Sequence, residues 1–166
     1  TTTAEGIPLR YQLTVVDAVT GAALPGAAVY LWHCDRAGDY SMYSSGNTGE
    51  NYLRGVQTTD ASGTLNFLSI YPGCYPGRWP HAHFEVYDSL EGATNGRQAT
   101  KTSQLGLPEA TNNEAFATAG YETSARNFSG TSLSSDNIFS DGADDQIPAM
   151  TGKPTDGYAA IVVVRV

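Results

Sequence analysis

Apolar and polar positions alternate early in the chain. Tyr11, Leu13 and Val15 alternate with Gln12, Thr14 and Val16, a period of two that predicts a strand with one face toward a core. Residues 28–34, AVYLWHC, are apolar on both faces, which predicts a strand interior to a sheet. Further strands are predicted over 63–67, after an Asp-Ala-Ser-Gly turn, over 82–87 and over 98–105. The chain closes on AAIVVVRV, residues 159–166, a β-branched run that reads as a buried strand. Thr20-Gly21 and Pro25-Gly26 punctuate the first connection. Residues 35–52 form a Gly/Ser/Asn-rich loop that contains Tyr40 and Tyr43. Only 114–119 predicts a helical turn or two, and 120–155 reads as mostly loop. The pattern therefore predicts an all-β chain: a single-domain β-sandwich spanning residues 1–166, with long loops.

Composition supports many short strands joined by turns, with 18 Gly and 8 Pro in 166 residues. The net charge of −8, with nine scattered basic residues, leaves nothing to track a phosphate backbone, so no nucleic-acid partner is expected. No apolar run reaches membrane-spanning length, so no membrane partner is expected either. The opening TTTAEG carries no signal peptide and reads as a processed or trimmed end. An acidic, lysine-poor composition is compatible with a secreted, extracellular protein. Asn127-Phe128-Ser129 fits a glycosylation acceptor, a tripeptide common by chance.

The candidate chemistry lies in YPGCYPGRWPHAHF, residues 71–84. On a strand His81 and His83 emerge on one face, close enough to share a metal. An isolated H-x-H is more often a pair of surface histidines, so the surroundings decide. Tyr75 and Arg78 lie in the turn that leads into the pair, and other tyrosines are abundant. A phenol ionises near pH 10 in water, so it serves as a ligand only beside a strongly charged cation such as ferric iron. A ferrous site would instead call for a carboxylate on the same face, and Glu85 is placed to supply one.

Three segments together resemble the intradiol ring-cleavage dioxygenases. Trp32-His33-Cys34-Asp35 through Gly38-Asp39-Tyr40-Ser41 is similar to their W-H-x-x-x-x-G-x-Y-S segment. Pro72-Gly73-Cys74-Tyr75, Arg78 and His81-Ala82-His83-Phe84 are similar to their P-x-x-Y…R-x-x-H-x-H-[FY] segment. Residues 99–105, ATKTSQL, resemble a third segment that ends in a glutamine, and the likeness runs from about Gly6 to Leu105. The resemblance implies a non-haem Fe(III) held by Tyr40, Tyr75, His81 and His83 on long loops, with hydroxide as fifth ligand. It implies that Tyr75 leaves when substrate arrives, that Tyr40 stays, and that Arg78 and Gln104 line the pocket, with Gln98 the alternative to Gln104. The implied reaction takes a small catechol-type substrate and O2, cleaves the ring between the two hydroxyl-bearing carbons and gives a muconic acid. A secreted setting would also allow fusion to a carbohydrate-binding module in a longer chain, which the residues themselves do not imply.

The resemblance also has departures and rivals. Arg-Trp-Pro-His-Ala-His replaces the commoner Arg-Pro-Ala-His-Ile-His, so Trp79 and Pro80 are expected to reshape the pocket wall. The family's N-terminal helical dimerisation segment is missing. Cys34 and Cys74 flank the two tyrosine segments, where a disulfide would tie two ligand-bearing loops together; a pair of free thiols is the alternative. His33 is expected to be a hydrogen-bonded structural histidine, and Tyr43 and Tyr71 to be packing aromatics. A prealbumin-like binding module would explain residues 15–31 but not the 71–84 segment. A cupin-like enzyme using His81, His83 and Glu85 would leave Tyr40 and Tyr75 idle.

Overall fold

The computed structural model describes residues 2–166; Thr1, the first residue of the polar lead-in, lies outside them. Eight strands form two four-stranded sheets. One has the order β4-β1-β8-β7 and the other β3-β2-β5-β6. The strands are β1 (Pro8–Val16), β2 (Ala28–Trp32), β3 (Arg54–Thr58), β4 (Thr64–Ile70), β5 (His81–Tyr87), β6 (Lys101–Gly106), β7 (Ala149–Lys153) and β8 (Gly157–Arg165). Three short helices, α1 (Leu90–Thr94), α2 (Glu109–Phe116) and α3 (Glu122–Phe128), complete the β-rich fold. Among the described residues no helix is long and apolar enough to cross a membrane.

The alternation in β1 carries through to packing. Leu9, Tyr11, Leu13 and Val15 are all buried, and β1 lies between β4, antiparallel, and β8, parallel. β8 repeats the pattern with Tyr158, Ala160, Val162 and Val164. These residues share one buried cluster with Val29 and Leu31 of β2, Ala82, Phe84 and Val86 of β5, and Leu105 of β6. Both sheets thus turn an apolar face to the same core, which removes most of that surface from water. The β2 strand is interior to its sheet, as its two-sided apolarity predicts, paired with β3 and β5.

The structure corrects the sequence reading in several places. β3 and β7 are strands where none is predicted: β3 is RGVQT and β7 is AMTGK, both polar edge strands without a clean alternation. The helix expected over 114–119 instead starts at Glu109 and ends at Phe116. The stretch 120–155 also contains α3 and β7, so it is less irregular than it reads.

Helix α3 matters because it clasps two segments that run side by side. Gly73 N–H donates to Asp35 O at 2.9 Å. The Ser124 hydroxyl, fully buried, donates to Arg36 O at 2.7 Å and accepts from Cys74 N–H at 2.8 Å. Asn127 Nδ2 donates to Cys74 O at 2.8 Å, so the amide of the glycosylation pattern is already used inside the fold. The segments touch closely enough to require glycine twice. A Cβ on Gly73 would lie 2.5 Å from Asp35 O, and one on Gly38, where φ is +98°, would lie 3.0 Å from Cys74 O.

The disulfide considered for Cys34 and Cys74 is not formed: both thiols are buried and free. The two sulfurs are directed at separate carbonyls, Cys34 Sγ to Gly73 O at 3.5 Å and Cys74 Sγ to Arg78 O at 3.4 Å. Hydrogen bonds through Ser124 and Asn127 tie the segments instead. Ser124→Ala should leave Cys74 N–H and Arg36 O buried without their partner and lower stability by about 1–3 kcal/mol. Chemical denaturation checks this, with a lower midpoint at unchanged slope; an unchanged midpoint would show that the clasp contributes nothing.

Candidate metal centre

The centre is assembled from one strand and two loops. His81 and His83 stand in β5 itself, two residues apart on one face, so the histidine half of the site is strand-borne rather than loop-borne. β5 pairs with β2 so that His83 lies opposite Trp32, and the two rings stack 4.7 Å apart at an interplanar angle of 7°. Tyr30 stacks on the other side of Trp32 at 4.9 Å. These contacts fix the plane of the His83 imidazole.

Tyr40 comes from the loop after β2. Asp35 Oδ1 accepts from Ala37 N–H at 2.9 Å and Asp39 N–H at 3.1 Å, which closes a tight turn around Gly38. Ser41, nearly fully buried, donates to Tyr52 O at 2.7 Å and accepts from Arg54 Nε at 2.9 Å. The G-x-Y-S pattern thus has a physical reading. Glycine permits the positive φ and the close approach, serine anchors the loop, and the tyrosine between them is held toward β5. Tyr75, half-buried, opens the turn before β5, whose Pro76-Gly77 tip is exposed and which is closed by a bond from Arg78 N–H to Tyr75 O at 3.3 Å.

Four donor atoms converge. His81 Nε2 lies 3.1 Å from His83 Nε2, 3.2 Å from Tyr75 Oη and 3.4 Å from Tyr40 Oη. His83 Nε2 lies 3.2 Å from Tyr40 Oη. Ligands about 2.0–2.1 Å from a common first-row ion would be about 2.9 Å apart at a right angle and about 3.5 Å apart at 120°. The separations lie within that range, so the residues fit a single metal ion. His81 Nδ1 donates to Trp79 O at 2.5 Å, which fixes the tautomer and leaves the Nε2 lone pair facing the other donors.

Electrostatics agree with this fit. Burial, aided by the Arg78 charge, pushes His81 down to about 3 and His83 to about 4, so both imidazoles are neutral ligands at physiological pH. Burial pushes the Tyr40 phenol far above its ordinary value. Tyr75 is also raised by burial, against the pull of Arg78. Without a cation both phenols stay protonated. Among the described residues no group of three or more His, Cys, Asp or Glu is placed to hold a metal. Glu85, the carboxylate of the cupin-like alternative, instead accepts from the Tyr87 hydroxyl at 2.6 Å.

Around the donors, Arg78 is the hub. Its Nη1 donates to Tyr75 Oη at 3.3 Å and its Nη2 to Gln104 Oε1 at 2.5 Å. Gln104 lies directly opposite His83 across the β5–β6 ladder, whereas Gln98 is exposed ahead of β6. Arg78 Nε pairs with Asp136 Oδ2 at 2.9 Å, a contact that sequence reasoning missed because Asp136 lies in a Ser/Asp-rich stretch with no pattern to single it out.

The remaining residues fall into place around the hub. Trp79 is 4% exposed and packs on Phe128 in a small second core, with its indole N–H donating to Leu107 O. His33 is the structural histidine expected: Nδ1 donates to Cys34 O at 2.7 Å, Nε2 accepts from the Ser69 hydroxyl, and burial pushes it down to about 4. Tyr71 is fully buried and donates to Asn112 Oδ1, a packing role, while Tyr43 is largely exposed under the Arg54 guanidinium.

Comparison with known proteins agrees with this geometry. A family model described as "Dioxygenase" matches residues 2–100. A catechol 1,2-dioxygenase of Candida albicans is 35% identical over 75 residues, which are 43% of this chain and 25% of that protein, so the match spans a quarter of its length. An intradiol ring-cleavage dioxygenase from Tetranychus urticae superposes with a TM-score of 0.82 at 25% identity, covering 98% of this chain and 81% of that one. The dioxygenase domain of a carbohydrate-binding fusion protein from Streptomyces sp. SirexAA-E shares the fold, with a TM-score of 0.65 at 22% identity over 98% of this chain and 81% of that one. With a matching family model over more than half of its length and this structural likeness, the chain belongs to the intradiol ring-cleavage dioxygenase family.

Proposed function

We propose that the protein is a non-haem Fe(III) intradiol dioxygenase that cleaves catechol-type rings between the two hydroxyl-bearing carbons with O2, giving muconic acids. The observation that carries this reading is the donor set: two phenol oxygens and one imidazole nitrogen lie 3.1–3.4 Å from His81 Nε2, His83 Nε2 lies 3.2 Å from Tyr40 Oη, and no carboxylate is among them. Two phenolates suit a hard trivalent ion and disfavour a divalent one. Tyr40, Tyr75, His81 and His83 would hold the ion, with a hydroxide expected to complete its ligand set. When bound, it supplies Lewis acidity and a template for both catechol oxygens.

The chain's own residues divide the remaining work. Tyr75 would be the ligand that leaves, because it borders the exposed Pro76-Gly77 tip of its turn and its oxygen already has a donor in Arg78 Nη1. Tyr75 Oη would take up one catechol proton and the hydroxide the other. Tyr40, anchored beside buried Ser41, stays. The Arg78 guanidinium stabilises negative charge that builds on the substrate oxygens. Gln104 Oε1 is engaged by Arg78, which leaves its amide N–H groups to donate to the substrate side. In the same reading the two sheets form a β-sandwich, with the centre at the start of β5. A secreted setting beside a carbohydrate-binding module also belongs to the proposal. It draws support from the acidic, lysine-poor composition and from the fusion described for the Streptomyces protein.

Iron-loaded protein should be red, from tyrosinate-to-iron charge transfer, and should consume O2 with a panel of catechol, carboxylated catechol and trihydroxybenzene. Product analysis should find muconic acids; cleavage beside the hydroxyls, or a colourless iron protein, would sink the reading. Tyr75→Phe should weaken the visible band and lower turnover by about a hundredfold. A spectrum identical to the wild type would remove Tyr75 from the ligand set.

The pH dependence follows from the protonation states. Both histidines are already neutral well below pH 7, with values of about 3 and 4, whereas both phenols must lose a proton to bind. Metal affinity should therefore rise with pH. Calorimetry in buffers of different ionisation enthalpy should find one proton fewer released by Tyr75→Phe than by the wild type. Equal proton release would place the phenol outside the binding reaction.

A further inference from the structure

We infer that Asp136 is a positioning residue for the reaction: its carboxylate fixes the Arg78 guanidinium so that one terminal nitrogen faces Tyr75 Oη and the other faces Gln104. The inference rests on the ring-cleavage reading above and adds a residue that neither the motifs nor the family match includes, since the match ends at residue 100.

Asp136 lies in the connection between α3 and β7, 58 residues beyond Arg78, and its side chain is completely inaccessible to solvent. Both carboxylate oxygens are fully used. Oδ2 accepts from Arg78 Nε at 2.9 Å and from Trp79 N–H at 2.6 Å. Oδ1 accepts from Ile138 N–H at 2.8 Å and Phe139 N–H at 3.3 Å. A carboxylate held by three backbone N–H groups cannot swing with its partner, so it is the guanidinium that conforms.

The guanidinium is planar and its five N–H directions are set together. Once Nε is fixed on Asp136, the directions of Nη1 and Nη2 follow, and these nitrogens reach Tyr75 Oη at 3.3 Å and Gln104 Oε1 at 2.5 Å. Arg78 is only part-buried, with 17% of its side chain exposed, so without the carboxylate its flexible stem would be free to turn toward water. The same carboxylate also holds the Trp79 N–H, and the carbonyl of that residue, in the next peptide, accepts from His81 Nδ1. One buried anion thereby aligns the cation over the site and anchors the N–H of the residue whose carbonyl sets the His81 tautomer.

The test is a double-mutant cycle on the iron-loaded protein with Asp136→Asn and Arg78→Met. Asp136→Asn should lower kcat by about ten- to hundredfold, as expected for a misplaced group, while KM changes far less. In the Arg78→Met background it should add no further loss. The visible band of Asp136→Asn should move to longer wavelength, because a phenolate relieved of its hydrogen-bond donor gives up charge to the metal more easily. In the metal-free protein, the Arg78 Nε–H resonance should exchange slowly with solvent and lose that protection in the variant.

Loss of thermal stability alone, with kcat, band position and Arg78 exchange unchanged, would overturn the inference and leave Asp136 as a fold residue. Multiplicative effects in the cycle would overturn it too. If Asp136→Asn does not fold, Asp136→Glu keeps the charge but displaces it by a methylene; it should show the same loss of kcat, and wild-type turnover would refute the positioning role. A wild-type iron protein without intradiol product sinks the ring-cleavage reading itself, whereas an active wild type with an equally active Asp136→Asn sinks only the role of Asp136.

Discussion

The position of both phenol donors at the centre depends on how closely the chain at 72–75 lies against the chain at 35–38. The Gly73 N–H to Asp35 O bond, at 2.9 Å, brings the two backbones together, and the space for that approach exists only because Gly73 and Gly38 lack side chains. From this contact the Tyr40 loop and the Tyr75 turn acquire a fixed separation. The two histidines need no such device, because a strand sets their spacing by itself. Half of the site is therefore specified by regular structure and half by a backbone contact between loops. Regular structure tolerates sequence change; a contact of this kind tolerates very little at the two glycines.

Low polarity around the donors then sets their protonation. Burial favours neutral imidazole and neutral phenol alike, which makes the histidines ready ligands and the tyrosines reluctant ones. Only a cation of high charge can draw protons from two buried phenols, so the environment selects for the ion it is proposed to hold. In the proposed exchange, a Tyr75 phenolate of raised proton affinity would regain a proton when another oxygen ligand arrives. Arg78 tempers that affinity from one side, and the balance between burial and the guanidinium sets how easily the exchange occurs.

Much of this was legible in the sequence, for physical reasons that can be named. The alternation in β1 and the two-sided apolarity of β2 are direct imprints of burial, and both strands lie where the pattern puts them. The H-x-H spacing and the Gly38-Asp39-Tyr40-Ser41 segment each encode a local geometry, so the resemblance they carry led to the residues that converge. Strands β3 and β7 left no imprint because neither buries a residue or alternates, unlike the edge strand β4, which buries Leu65 and Phe67. The free cysteines show the limit of reasoning from proximity along the motifs. Nothing in the sequence says that Ser124 and Asn127 already tie the segments that a disulfide would have joined.

The parts that were not legible have one property in common. Ser124, Asn127 and Asp136 all lie beyond residue 106, in the stretch that reads as loop and outside the 2–100 region matched by the family model. Yet these three reach back to Arg36, Cys74, Arg78 and Trp79, the residues that flank the donors. The ligands are set by short motifs, because a metal constrains residue types at fixed spacing. The supports are constrained only to place one polar atom against a backbone group, which many sequences and loop lengths can do. The structural likeness to the Tetranychus enzyme extends over 98% of the chain while identity is 25%, as expected where the backbone path is kept and the supporting side chains are free to change. Differences in turnover between members with identical ligand sets should accordingly trace to this second half of the chain, where the side chains that aim the guanidinium and clamp the tyrosine turn are found.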